Sequence, residues 1–156
     1  MKSSPIIITD SREQMPLKFA NLPVESGTLY SGDYSIKGME EVFVIERKTI
    51  SDLVGSLTSG RDRFMNELHR LRGYRFRRLL IVGSRNEIET GSYRSRTKPR
   101  AVLASLAAVE ARYDIPVIFS PTPHAAAALI EQWVFWSWRE HSKAFTKIPT
   151  TPIWAV

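Results

Sequence analysis

The alternation of apolar, β-rich runs with helix-period segments predicts one α/β domain built on a mixed sheet. Runs at 6–9, 42–45, 79–83 and 115–119 read as strands. Amphipathic stretches at 50–58, 61–72 and 100–113, and a longer one opening at 122 or 123, read as helices. The chain has 156 residues, enough for one domain with a core, and shows no repeat and no internal boundary.

Each element has its own warrant. Ile6 to Thr9 is short and β-branched, as a buried strand requires. Residues 11–28 carry Pro16, Pro23 and Gly27 and read as loop. Leu29, Tyr30, Tyr34 and Ile36 flank Gly32-Asp33, Lys37-Gly38 follows, and Val42 to Ile45 is apolar again, so 29–46 reads as a hairpin whose second strand ends in charge. Leu53 and Leu57 are four residues apart behind Ser51, which suits a short helix broken at Gly60. Phe64, Leu68 and Leu71 recur at helical spacing, with a basic and polar opposite face. Arg77 and Arg78 lead into the buried strand Leu79–Gly83. The polar stretch 84–99 shows no element, and Val102, Leu106 and Val109 mark the next helix. After the strand Ile115–Phe119, Pro123 suits the first turn of a helix running to about Glu140. Residues 1–141 are expected to form the domain and 142–156, with Pro149 and Pro152, an extended tail.

Lys+Arg exceed Asp+Glu by 22 to 16, a net charge of +6, which favours a polyanionic partner, with nucleic acid foremost. Cysteine is absent, which excludes disulfides, thiolate metal sites and cysteine nucleophiles. The N-terminal apolar run is too short for a signal peptide, and Pro116, Pro121 and Pro123 interrupt the longest uncharged stretch, so no membrane partner is expected. A cytoplasmic or nucleoid-associated, non-secreted protein is the expectation. His69, His124 and His141 share no ligand spacing.

The chemistry concentrates where strands end. Glu46 and Lys48, two apart on an extended strand, face one side and Arg47 the other; Asp33 on the neighbouring strand can reach the side of Glu46 and Lys48. Two carboxylates and one amine at a strand end suit a hard cation such as Mg2+ or Mn2+ and the hydrolysis of a phosphodiester. A Glu-Arg-Lys run is also how a solvated strand end reads, and an aspartate after glycine is a common turn residue. Spacing alone leaves both readings open.

The motifs in order resolve this further. Ser31-Gly32-Asp33-Tyr34, followed by Val44-Ile45-Glu46-Arg47-Lys48-Thr49-Ile50-Ser51-Asp52-Leu53, resembles the Gly-Asp…Glu-Arg-Lys-x-x-x-Asp signature of the XPF-type structure-specific endonucleases, a branch of the PD-(D/E)XK nuclease superfamily. Ile6 to Glu13, with Asp10, Arg12 and Glu13, is similar to the first strand of that family, and Gly60-Arg61 matches its next segment more loosely. The resemblance spans roughly residues 5–135. It implies a restriction-endonuclease-like mixed sheet flanked by helices and a Mg2+- or Mn2+-dependent DNA endonuclease of repair, recombination or phage DNA processing. It implies Asp33 and Glu46 as metal ligands, the Ile45 carbonyl in the inner sphere, Lys48 as the catalytic lysine, and Asp10 and Glu13 as further carboxylates. Arg12 and Arg47 would brace the site or contact phosphate. Asp52 would sit in the first turn of the following helix, where the macrodipole also favours a carboxylate.

Arg61, Arg63, Arg70, Arg72, Arg75, Arg77 and Arg78 form one basic cluster, and Arg94, Arg96, Lys98 and Arg100 a second; bordering the site they would track phosphates, with Tyr74 and Tyr93 available for stacking. Trp133, Phe135, Trp136 and Trp138 put apolar residues all round the last helix, so a face of it needs cover; the resemblance implies a homodimer or a partner protein there, and the alternative is cover by the tail with Trp154. The sequence ends at Val156 without the helix-hairpin-helix or helicase modules common in the family, so substrate choice is expected to be looser or supplied by a partner. The alternatives are a non-catalytic DNA-binding or scaffolding subunit and a Holliday-junction resolvase.

Overall fold

A computed structural model describes residues 3–146. Six strands form one mixed sheet: β1 (Ile7–Asp10), β2 (Val24–Gly27), β3 (Tyr34–Ile36), β4 (Phe43–Thr49), β5 (Phe76–Val82) and β6 (Val117–Ser120), in the spatial order β2-β1-β3-β4-β5-β6. β3 pairs antiparallel with β1 and β4, whereas β1–β2, β4–β5 and β5–β6 are parallel. Five helices follow: α1 (Ile50–Leu57), α2 (Arg61–Leu71), α3 (Arg85–Glu89), α4 (Pro99–Tyr113) and α5 (Pro123–Thr146).

The two-residue period of β4 sorts its side chains between two cores. Val44 packs with Leu53, Phe64, Leu68 and Leu106 under α1, α2 and α4. Phe43 and Ile45 pack with Tyr34, Leu80, Ile130 and Val134 under α5. The helices therefore lie on both faces of the sheet, as an α/β layer fold requires. The order of strands and helices agrees with the sequence, and the expected mixed sheet is present.

Four boundaries differ. β2 falls within the segment read as loop: it is a polar edge strand with exposed Val24, Glu25 and Ser26, held by the Ile7 N–H on the Pro23 carbonyl and the Ser11 N–H on that of Gly27. No apolar alternation announces such a strand. α3 falls within 84–99, started by a reciprocal capping box between Ser84 and Glu87. β5 begins at Phe76, because Arg78 lays its guanidinium 4.0 Å from the Phe76 ring centre and Arg77 pairs with Asp114, which lets both arginines sit in a strand. α5 continues to Thr146, so residues 142–146 are helical and not an extended tail. Lys143 pairs with Glu140 there, and no proline interrupts the segment. The rest of the tail, including Trp154, lies outside the described residues. Among the described residues no helix is long and apolar enough to cross a membrane.

Candidate active site

The site forms at the N-terminal end of β3, where the antiparallel β4 runs on past it. The turn into β3 passes through Gly32 at φ +78°, and a Cβ there would lie 2.3 Å from Val44 Cγ2 and 3.1 Å from the Ile45 carbonyl oxygen. Only glycine allows this approach. It lets the Asp33 N–H donate to the Ile45 carbonyl at 2.8 Å, and the Asp33 carboxylate accept the Arg47 N–H, also at 2.8 Å. Asp33 is thus aimed by main chain on both sides. The preceding residue is anchored as well: Ser31 Oγ accepts from Arg70 Nε on α2 at 3.2 Å.

On β4, Glu46 and Lys48 share a face, as the strand period predicts, with Lys48 Nζ 3.5 Å from Glu46 Oε1. Glu46 is 4% exposed, and its other oxygen, Oε2, is buried without a hydrogen-bond partner. Burial, then the neighbouring charges of Asp33 and Glu67, hold the Glu46 carboxyl well above the ordinary glutamate range. Burial likewise raises Asp33 to about 7, against the opposing Arg47 N–H and assisted by Glu13 and Glu67. Lys48 Nζ also sits 5.1 Å over the Phe64 ring on α2. Glu67, one turn beyond Phe64, is the residue sequence reasoning missed. Its only sequence signal is a carboxylate on the margin of the apolar stripe Phe64–Leu68–Leu71.

Two expected carboxylates and one carbonyl are otherwise engaged. Asp10 receives Arg12 Nε on Oδ2 at 2.9 Å, and Arg12 Nη2 and the Leu29 N–H on Oδ1 at 3.2 and 2.9 Å, so it clamps the 29–33 turn. The Arg12 guanidinium, beside it, holds that carboxyl below the ordinary aspartate range despite burial. Glu13 pairs with Arg47 at 3.3 Å, on the strand face opposite to Glu46 and Lys48. The Ile45 carbonyl, expected in an inner sphere, accepts the Asp33 N–H as a rung of the β3–β4 hydrogen bonding. Carbonyls alternate between strand edges, so the next one on that edge belongs to Arg47.

A cleft of about 390 Å³ opens in front of Lys48 and Glu67 between α1 and α2, lined also by Ser51, Asp52, Ser56 and Arg63. A second hollow of about 250 Å³ shares Ser51 and Gly55 with it and continues along α1 to Tyr93 and Arg94. Asp52 occupies the first turn of α1, its N–H capped by Thr49 Oγ1 at 3.1 Å. Arg63 borders the cleft and Arg94 the second hollow, with Arg96, Lys98 and Arg100 exposed on the same connection and the start of α4. Arg61 instead reaches the Leu57 carbonyl and Ser105 Oγ, both at 3.4 Å, and braces α2. Arg77 and Arg78 serve β5, and Tyr74 is buried, which removes it as a stacking surface.

A hard dication fits Asp33 and Glu46 on the chemistry of the donors: two carboxylates that burial and mutual repulsion make costly to ionise together, one with an orphaned oxygen. Among the described residues no three Asp, Glu or His side chains close on one point. Such a cation would complete its shell with main-chain oxygen, water and phosphate, as Mg2+ commonly does.

The ERCC4 domain family matches residues 8–132. The chain is 30% identical over 140 residues to the DNA repair endonuclease XPF of Cricetulus griseus, covering 83% of this chain and 15% of that protein. It spans, that is, about a seventh of the length of this relative. Among solved structures, XPF from Aeropyrum pernix superposes with a TM-score of 0.69 at 27% identity, covering 85% of this chain and 61% of that one. XPF from Aeropyrum pernix in complex with DNA gives 0.68 at 25% identity, covering 96% and 68%.

Proposed function

Because this chain belongs to the ERCC4 domain family, we propose that it is a Mg2+- or Mn2+-dependent DNA endonuclease that hydrolyses phosphodiester bonds in repair, recombination or phage DNA processing. The observation that carries this reading is the buried Glu46 and the partly buried Asp33 beside Lys48, an amine that lines a cleft bordered by Arg63.

Asp33 and Glu46 would hold the cation, Asp33 in an orientation set by the Arg47 N–H. When bound, the dication supplies Lewis acidity toward a phosphoryl oxygen and offsets the charge of the two carboxylates. Lys48, ion-paired to Glu46, donates hydrogen bonds to a water placed for in-line attack and balances charge developing on the phosphate. Phe64 roofs the amine and limits its motion. Arg63 and Arg94 take neighbouring phosphates along α1, a contact that positions DNA without reading its sequence. The same reading gives the exposed Phe135, Trp136 and Phe145 of α5 to a second copy of the chain.

The test is cleavage of duplex, flap, fork and four-way-junction DNA with and without Mg2+ or Mn2+. Asp33→Asn and Glu46→Gln are each expected to reduce the rate by about 100-fold or more while DNA binding persists. Cleavage that survives both changes removes the mechanism.

A further inference from the structure

We propose that Glu67 is a positioning residue of the cation site, accepting hydrogen bonds from water on the cleft side of the cation and so ordering the part of the shell that Asp33 and Glu46 leave open. The proposal rests on the nuclease reading above and adds to it a carboxylate from α2, outside the Gly-Asp and Glu-Arg-Lys motifs.

Helical spacing brings Glu67 to the site. Arg63, Glu67 and Arg70 fall on one stripe of α2. Arg63 lines the cleft at one end of the stripe, and at the other Arg70 donates to Ser31 Oγ, two residues before Asp33. On the neighbouring stripe Phe64 meets the Lys48 amine and Leu68 is fully buried. The helix is thus fixed against the end of β4 that carries Glu46 and Lys48, with Glu67 between its anchors.

The carboxylate of Glu67 stands on the approach to the cation. With Lys48 it lines the cleft of about 390 Å³. It is within hydrogen-bonding reach of the Glu46 carboxyl, and its charge acts on Asp33. It is half-buried, whereas Glu46 is 4% exposed and keeps Oε2 without a partner. Lys48 meets the other oxygen, Oε1. A buried acceptor without a partner, and a second carboxylate set against it, call for positive charge between them. Among the described residues no three Asp, Glu or His side chains close on one point, so Glu67 is not a third direct ligand. Water fills that gap. A dication of the Mg2+ kind keeps several waters, whose hydrogens seek acceptors. Lys48 and Arg63 carry donors alone, so Glu67 is the group beside Glu46 that accepts them. Hydrogen-bonded partners of this kind orient a metal's ligands and sustain its affinity.

The experiment measures Mn2+ binding to the whole chain by isothermal titration calorimetry, without DNA. The proteins are the unaltered chain, Glu67→Ala, Glu67→Gln and Asp62→Asn, the last removing an exposed carboxylate from the first turn of the same helix. Glu67→Ala is expected to weaken Mn2+ binding by roughly 10–100-fold. Glu67→Gln, which keeps one acceptor oxygen, should lose less, and Asp62→Asn less than about twofold. Metal-free Glu67→Ala should melt no lower than the unaltered chain, because the carboxylate it loses is a repelled one. Unchanged Mn2+ affinity in Glu67→Ala, a loss matched by Asp62→Asn, or a lower melting temperature with affinity intact overturns the proposal. Failure of the nuclease reading shows differently: Mn2+ binds and Glu67→Ala weakens it, yet the unaltered chain leaves DNA uncut in Mg2+ and Mn2+.

Discussion

At Gly32, one missing carbon decides the geometry of the site. A methyl group there meets Val44 at 2.3 Å and requires a residue with a side chain to adopt φ +78°. Gly32→Ala is expected to destabilise the fold by about 2–4 kcal/mol, measured by denaturant unfolding, and to turn Asp33 away from Arg47. The protonation of Asp33 gives a second expectation. Its pKa is raised on folding from 3.8 to about 7, so the stability this contributes is fully present below 3.8 and is lost as pH rises through 7. The raised Glu46 acts in the same direction. Metal-free protein should therefore melt at progressively lower temperature from pH 5 to pH 8, and Mg2+ or Mn2+ at pH 8 should restore the loss. Asp33→Asn should flatten the dependence; a profile that rises with pH contradicts the burial of the pair. The Gly-Asp and Glu-Arg-Lys motifs made Asp33, Glu46 and Lys48 legible in the sequence. Glu67 was not, because its part depends on how α2 lies across β4, which no local pattern encodes. The place of Asp10 in the motif is visible in the sequence, whereas its hydrogen bond from the Leu29 N–H is tertiary and is not.

Among the elements, α5 shows how a long helix is fastened beyond its apolar stripe. Glu131, 6% exposed, accepts the N–H groups of Asn21 and Leu22 at 2.8 and 2.7 Å and so ties the connection before β2 to the helix. Glu131→Ala is expected to cost about 1–3 kcal/mol in thermal or denaturant unfolding, and Glu131→Gln less, since it keeps one acceptor oxygen. The elements readable in the sequence were those with apolar runs or helical periodicity: β1, β4, the centre of β5, β6, α1, α2, α4, and α5 to about Glu140. β2 escaped because polar edge strands take their pairing from a neighbour. The Ser84–Glu87 box at α3 was present in the sequence, but five residues give too few turns for a helical period to show.

For the molecule as a whole, the sheet separates two surfaces. The cleft with Lys48 and Glu67 lies under α1 and α2, whereas α5 packs on the opposite face. Phe135, Trp136 and Phe145, at 38, 52 and 60% exposed, leave that helix with an uncovered aromatic side. Sedimentation at micromolar concentration should show a dimer that Trp136→Glu dissociates; a monomer at every concentration removes the second copy from the proposal. The placement also equips the chain with a ready-made optical reporter. Three of its four tryptophans, Trp133, Trp136 and Trp138, stand on this one helix, behind the sheet from the carboxylates. Their emission therefore answers to whatever approaches the back of the protein, and a DNA that quenched it would be touching more than the cutting face.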